Sequence, residues 1–291
     1  MRPWLVEYLN QVFGTNLFNW LVPTSAFMYA LAMLVGLLVF VRRSSKKKLS
    51  TYHALGAAIA AMVGGLIGAR LFYLLTHFDR LLSNPAIIFD VSGGTVSWGS
   101  YIGGGVAFWL YVVIQRQSFL LYSDVLGSCL GLGPFIGRWS CFLNGCCFGK
   151  LSAVPWAIAY PHGSYAFAAQ ARQELIDPLS SYSLPVHPLP IYFSLNGLFL
   201  FLLFSWLWKR NRLPAGALFW LYWAIYAVNR FILEYFRDVD NVNLIGVFSF
   251  PQIMTILVFG LSVTILSLML RSRKHHGKKI RGVDSVRIVN K

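Results

Sequence analysis

Only 12% of this chain is charged and 57% is hydrophobic, so the charged residues that interrupt its apolar runs stand out. Arg70 falls late in one run, Asp124 early in another, Arg138 at the far end of that same run, and Arg230 with Glu234 near the end of a third. An ionisable group in lipid costs free energy, so it faces a bundle interior and marks a ligand or an ion path. Arg230 and Glu234 are four residues apart on one helical face and can neutralise each other as an ion pair. Arg70 and Arg138 have no acidic residue at helical spacing. Asp124 is too deep to serve Arg138, about 21 Å away at ~1.5 Å per residue. A guanidinium stays ionised in apolar surroundings, and its planar fork donates two parallel charge-assisted bonds, which suits a phosphate. A phospholipid headgroup is the expected ligand, with simple snorkelling to the interface as the alternative for Arg138.

The four cysteines are Cys129, Cys141, Cys146 and Cys147, the last three within Gly137-Arg138-Trp139-Ser140-Cys141-Phe142-Leu143-Asn144-Gly145-Cys146-Cys147-Phe148-Gly149-Lys150. They lack the paired CxxC units and nearby histidines of a zinc centre, so no metal site is expected, and no cofactor either. A disulfide between Cys141 and Cys146 or Cys147 stays open. Glycine is concentrated as Gly64, Gly65 and Gly68 before Arg70 and as Gly93, Gly94, Gly99, Gly103, Gly104 and Gly105 further on. Close helix packing accounts for most of these. The density around Gly99 also allows a broken helix lining a cavity.

The elements that must hold these groups are apolar runs near the roughly 20 residues needed to cross a hydrocarbon core of about 30 Å. We read seven: Val22 to Val41, His53 to Leu75, Val96 to Ile114, Leu121 to about Phe142, Ile191 to Trp208, Ala215 to Tyr235 and Pro251 to Leu270. The fourth is the least regular. The expected fold class is an all-α membrane protein, a seven-transmembrane-helix bundle with a periplasmic loop subdomain. Residues 1–291 are read as one integral membrane domain. Within it, 1–21 form an outer interfacial segment, 22–270 the seven spans with an outer loop over 150–190, and 271–291 a basic cytoplasmic tail. Leu5, Tyr8, Leu9 and Val12 recur at helical spacing, and no removable signal peptide is read in this segment.

Net charge is +15, which in a soluble protein would suggest nucleic acid. The basic residues are instead segregated. Arg42, Arg43, Lys46, Lys47 and Lys48 follow the first span, Arg116 the third, and Lys209, Arg210 and Arg212 the fifth, while eight more follow Leu270. Seventeen of the 25 Lys and Arg therefore share one side, which the positive-inside rule makes cytoplasmic. Nucleic acid is excluded as a partner on this reading, and the tail is left to retention and anionic lipid. The outer side carries the longer loops, including the proline-rich stretch from Leu151 to Pro190, a lid or small surface subdomain.

The stretch from Gly137 to Lys150 resembles the hallmark of the prolipoprotein diacylglyceryl transferases, G-R-x-G-N-F-x-N-G-E-x-x-G-R, in a cysteine-bearing form. Gly137, Arg138, Asn144, Gly145 and Gly149 keep the pattern, with Cys141, Cys146 and Lys150 where the commoner form has Asn, Glu and Arg. Other resemblances follow in order. They are Gly64-Gly65-Leu66-Ile67-Gly68 running on to Leu71-Phe72-Tyr73, Ser123-Asp124, Pro155-Trp156-Ala157, His187-Pro188 with Tyr192, and Asn229-Arg230-Phe231-Ile232-Leu233-Glu234-Tyr235-Phe236-Arg237.

The resemblance implies a multi-pass protein of the bacterial inner membrane, N-terminus periplasmic and C-terminus cytoplasmic. Its partners would be phosphatidylglycerol and prolipoprotein signal peptides with a lipobox cysteine. The implied reaction moves a diacylglyceryl group to that cysteine's thiol and releases glycerol phosphate. The leaving phosphate monoester gains charge and needs donors, and a cationic site would also raise the thiolate fraction of the incoming thiol. Arg138, Arg230, Asn144 and Glu234 are the expected catalytic residues. Arg138, Arg70, Tyr73, Gly99, Gly145, Gly149, His187 and Arg237 are the expected substrate-binding set.

Three departures set this chain apart. Trp98 stands where the family has His or Tyr, and indole is no base. The family's H-P-x-Q-L-Y-E reads His187-Pro188-Leu189-Pro190-Ile191-Tyr192-Phe193, without Gln or Glu. The first-span W-Y-G reads Thr24-Ser25-Ala26. A paralogue that binds phospholipid without the reaction is therefore the main alternative. A lipid or solute transporter is the other, disfavoured by the lack of an internal repeat.

Overall fold

The computed structural model describes residues 24–83, 87, 97–237, 243–245 and 248–289. The interfacial helix expected in 1–21 lies outside them, as do Gly93 and Gly94. The described chain is helical. In order it forms α1 (Thr24–Lys46), α2 (Thr51–Thr76), α3 (Phe78–Ser83), α4 (Ser97–Ile114), α5 (Phe119–Cys129), α6 (Leu132–Asn144), α7 (Tyr165–Arg172), α8 (Leu189–Arg210) and α9 (Ala217–Glu234). A two-stranded antiparallel turn follows, β1 (Asn243–Ile245) with β2 (Phe248–Ser249), and α10 (Phe250–Val289) ends the described chain. Among the described residues, five stretches are long and apolar enough to cross a membrane: Phe27–Lys46, Thr51–Thr76, Phe119–Asn144, Leu189–Arg210 and Phe250–Ser272. Of the other two runs expected to cross, one gives the shorter apolar helix Trp98–Ile114 and the other gives α9, 18 residues that include Asn229, Arg230 and Glu234.

The fourth expected span is two helices. α5 stops at Cys129 and α6 starts at Leu132, with turn residues between. Pro134, in the first turn of α6, has no amide hydrogen to give and would collide with the preceding turn if the helix ran through it. Gly131 at the junction lies against the backbone of Phe201, and the Ser194 hydroxyl donates to the Phe135 carbonyl at 2.6 Å.

The chain forms two compact units, one of residues 37–125 and one of residues 1–36 with 126–291. In the first, α2 and α4 pack through their glycines. A Cβ at Gly68 would collide with the backbone of Gly99 and Gly103, and one at Gly99 with Gly68 and Phe72. Lipid gives no hydrophobic drive for two helices to associate, so backbone approach through small residues supplies dispersion contact instead. α4 runs unbroken from Ser97 through Gly99 to Ile114, so the helix break that the glycine density allowed is not found there.

In the second unit α8 packs on α6 and α9, and α9 also packs on α10. Its core holds Leu200, Phe204, Leu218, Tyr222 and Tyr226, and Asn229 Nδ2 donates to Asn196 Oδ1 at 2.7 Å across α9 and α8. Residues 150–190 fold back on α6. Tyr160, Ala166 and Val186 form a small core against Phe142, Phe148 and Ile158. The buried Gln170 amide bonds both backbone groups of Leu184, and the Ser164 hydroxyl caps α7 by accepting from Phe167 N.

Candidate functional site

The end of α6 is built by its cap. Gly145 takes φ +66°, a left-handed conformation that L side chains rarely adopt. Its N–H donates to the Phe142 carbonyl at 3.2 Å, and the Cys146 N–H donates to the Cys141 carbonyl at 3.1 Å. This is the Schellman pair of bonds, which brings the side chain just past the cap against the one five residues earlier. Here those side chains are Cys146 and Cys141. Cys147 is also left-handed, at φ +56°, and its sulfur joins the other two. All three Sγ atoms lie within 4.8 Å of one another. They are free thiols, so neither open disulfide pairing is formed. Hydrogen bonds from the Cys141 and Cys146 thiols, with Arg138 and Arg237 nearby, hold the Cys147 thiol well below the usual thiol range. The Tyr160 phenol is wholly buried, has no hydrogen-bond partner among the described residues, and is pushed up by that burial and then by the three cysteines.

Arg138, one turn before Cys141, sits with its guanidinium carbon 4.5 Å from the centre of the Phe193 ring on α8. Arg230 on α9 lies 4.6 Å from the same ring. Each guanidinium is within cation–π reach of the same phenyl ring. Arg230 also pairs with Glu234, whose side chain is 2% exposed. Glu234 Oε1 accepts from Arg237 Nη1 at 3.4 Å. The pair expected from the four-residue spacing forms, and Arg237 shares its carboxylate.

Asn144, at the end of α6, keeps its Oδ1 buried with no hydrogen-bond partner among the described residues. Gly149 lies where α9 and the loop meet: a Cβ there would come within 2.5 Å of the Phe236 carbonyl and 2.7 Å of His187 Cβ. Its N–H bonds the His187 carbonyl at 2.9 Å, and Lys150 N bonds Phe236 O at 2.9 Å. His187 Nδ1 is 3.1 Å from the Tyr192 hydroxyl, which accepts from the Trp156 indole at 2.7 Å. Among the expected site residues, Arg138, Asn144, Gly145, Gly149, His187, Arg230, Glu234 and Arg237 all belong to this unit.

Arg70, Tyr73 and Gly99 belong to the other unit. Arg70 donates from Nη2 to the Ile87 carbonyl and lies over the Tyr73 ring, 5.2 Å from its centre. Tyr73 stacks on His77, and Trp98 is buried edge-on to Tyr101.

Phe193 was not among the expected residues. Its only sequence signal is an apolar side chain at the position where the family motif carries Glu. The convergence of Cys141 with Cys146 or Cys147 was left open as a disulfide, and a glycine just before the second cysteine of Cys-x4-Cys is the signature of the cap that pairs them.

A family model described as prolipoprotein diacylglyceryl transferase matches residues 15–268. The phosphatidylglycerol–prolipoprotein diacylglyceryl transferase of Clostridium tetani is 28% identical over 260 residues, covering 89% of this chain and 95% of that one. The Geobacter sulfurreducens protein of the same name is 31% identical over 220 residues, 74% and 76% of the two chains. That of Actinobacillus pleuropneumoniae serotype 3 is 36% identical over 185 residues, 62% of each. The chain belongs to the prolipoprotein diacylglyceryl transferase family.

Proposed function

We propose that this chain transfers the diacylglyceryl group of phosphatidylglycerol to the lipobox cysteine thiol of prolipoproteins. The observation that carries the reading is the pair of guanidiniums, Arg138 from α6 and Arg230 from α9, brought to the one Phe193 ring. Arg138 grips the lipid phosphate. Arg230 stabilises the charge that grows on the departing glycerol phosphate, held in place by Glu234, while Asn144 offers its unpartnered amide oxygen to a substrate hydroxyl. A cation fixed in a water-poor site acts most strongly where charge develops. Arg70, Tyr73 and Gly99 in one unit, and Gly145, Gly149, His187 and Arg237 in the other, are the proposed substrate-binding residues.

The topology is part of the proposal: seven crossings of a bacterial inner membrane, N-terminus periplasmic, loop 150–190 as a periplasmic lid and tail 271–291 cytoplasmic. The 17 apolar residues of Trp98–Ile114 and the 18 of α9 reach about 26–27 Å at ~1.5 Å per residue. A small local thinning of the bilayer accommodates that length.

Transfer of labelled lipid from phosphatidylglycerol vesicles to a lipobox peptide by the purified chain tests the reading. Arg138→Lys keeps the charge but not the bidentate fork, and should lower turnover by about a hundredfold or more, the effect of removing one well-placed donor to a developing anion. Full turnover in Arg138→Ala would end the assignment. Trp98 favours a second reading, a phospholipid-binding paralogue without the reaction. Lipid binding with no transfer would select it.

A further inference from the structure

The cluster of Cys141, Cys146 and Cys147 is not explained by lipid binding. Two of its sulfurs are brought together by the cap at Gly145, and the third by the left-handed turn at Cys147. Neighbouring side chains in extended chain point to opposite sides, so the turn is what lets vicinal cysteines converge. A tetrahedral zinc with Zn–S bonds of ~2.3 Å holds its sulfurs about 3.8 Å apart. The present separations of up to 4.8 Å close to that with shifts of under about 1 Å. The unpartnered Tyr160 hydroxyl lies in the same buried surroundings, and the Tyr29 hydroxyl is 3.8 Å from Cys141 Sγ. Arg138 and Arg237 are the cationic neighbours of Cys147.

We propose that Cys141, Cys146 and Cys147 form a three-thiolate zinc(II) site whose open fourth position takes the thiol of the incoming lipobox cysteine. Three protein ligands and one exchangeable position are the pattern of catalytic rather than structural zinc. The inference rests on the transferase reading above and gives it what Trp98 removes, a means of making a thiolate without a histidine or tyrosine base. Zinc with three thiolates carries −1 and with the substrate thiolate −2, and Arg138 and Arg237 are the cations beside Cys147.

The substrate thiol gives up its proton to water as it binds zinc. Its sulfur lone pair forms the C–S bond to the glyceryl carbon, and the C–O bond to phosphate breaks with its electron pair on oxygen. The departing monoester takes up a proton from water. The product sulfur is a thioether, a weaker ligand than a thiolate, and leaves the metal.

The test uses the full chain in detergent, reduced and stripped of metal, with zinc(II) or cobalt(II) added alone and a short lipobox peptide as the thiol. We expect one zinc per chain and a thiolate-to-cobalt charge-transfer band with tetrahedral visible bands. The peptide should shift those bands, and its Cys→Ser version should not. Cys141→Ser, Cys146→Ser and Cys147→Ser should each weaken zinc binding about a hundredfold or more, since even supporting partners of a ligand are worth about ten- to a hundredfold. Single changes, with chelation and zinc re-addition to the unaltered chain, keep the test independent of a variant that fails to fold.

A disulfide trapped among these cysteines in the chain as drawn from membranes overturns the site, as does zinc affinity that none of the three changes alters. Full transfer by metal-free enzyme also overturns it and leaves the transferase reading standing. No transfer by the zinc-loaded enzyme, where the cobalt-loaded chain shows the peptide-dependent spectrum, supports the site and defeats the transferase reading.

Discussion

Glu234→Gln removes a single negative charge and almost no volume. The Glu234 side chain is 2% exposed and that of Arg230 9%, so the substitution leaves a buried guanidinium without its counter-charge. Removing one member of a buried pair costs about 3–5 kcal/mol. Arg237 is 31% exposed at 3.4 Å, and a pair that open adds only about 0.2–1 kcal/mol. The glutamine carbonyl still accepts one hydrogen bond, which places the expected loss near the lower bound, about 3 kcal/mol. Pairing it with Arg230→Gln removes the orphaned charge, and the double variant should recover most of that loss. Two groups in direct contact should give a coupling energy of about 2 kcal/mol or more. Reversible unfolding in mixed micelles, read as a four-way cycle, measures each term. A single variant within about 0.5 kcal/mol of the parent, or a double variant no more stable than the single, would refute the claim that Glu234 is held there as the counter-charge of Arg230.

Two further outcomes follow from the same geometry. Phe193→Glu places a carboxylate beside Arg138 and Arg230, adds one negative charge to the group, and should raise the KM for phosphatidylglycerol about tenfold, the equivalent of ~1.4 kcal/mol, as measured in the vesicle transfer assay. An unchanged KM would show that these guanidiniums do not hold the lipid. Gly149→Ala forces a methyl group against Phe236 O and His187 Cβ. It should destabilise the junction by about 1–3 kcal/mol, the usual cost of overpacking, and hydrogen exchange at the Gly149 and Lys150 amides should rise.

The apolar runs were legible because a hydrocarbon solvent leaves little freedom. A helix must satisfy its own backbone and be long enough, and both conditions are written locally. The Arg230–Glu234 pair was legible for the same reason, as a four-residue spacing on one turn. The contact of Arg138 and Arg230 with one phenyl ring was not, since it depends on how α6, α8 and α9 rotate against one another over sequence separations that periodicity does not describe. The break between α5 and α6 could have been foreseen from Gly131, Gly133 and Pro134. An uninterrupted hydropathy signal concealed it, because hydropathy records solubility in lipid and not backbone continuity. Cys141 and Cys146 were read by the spacing of metal-binding repeats, whereas what unites them is the geometry of a helix end.

The interruption at Gly131 also fixes an angle. Backbone that leaves its helix at membrane depth cannot face hydrocarbon, and here it turns to α8, where the Ser194 hydroxyl reaches the Phe135 carbonyl and Gly131 abuts Phe201. The second half-helix is thereby keyed like a shaft with a flat milled on one side. It can seat against its neighbour in one rotational setting, and that setting points Arg138 at Phe193.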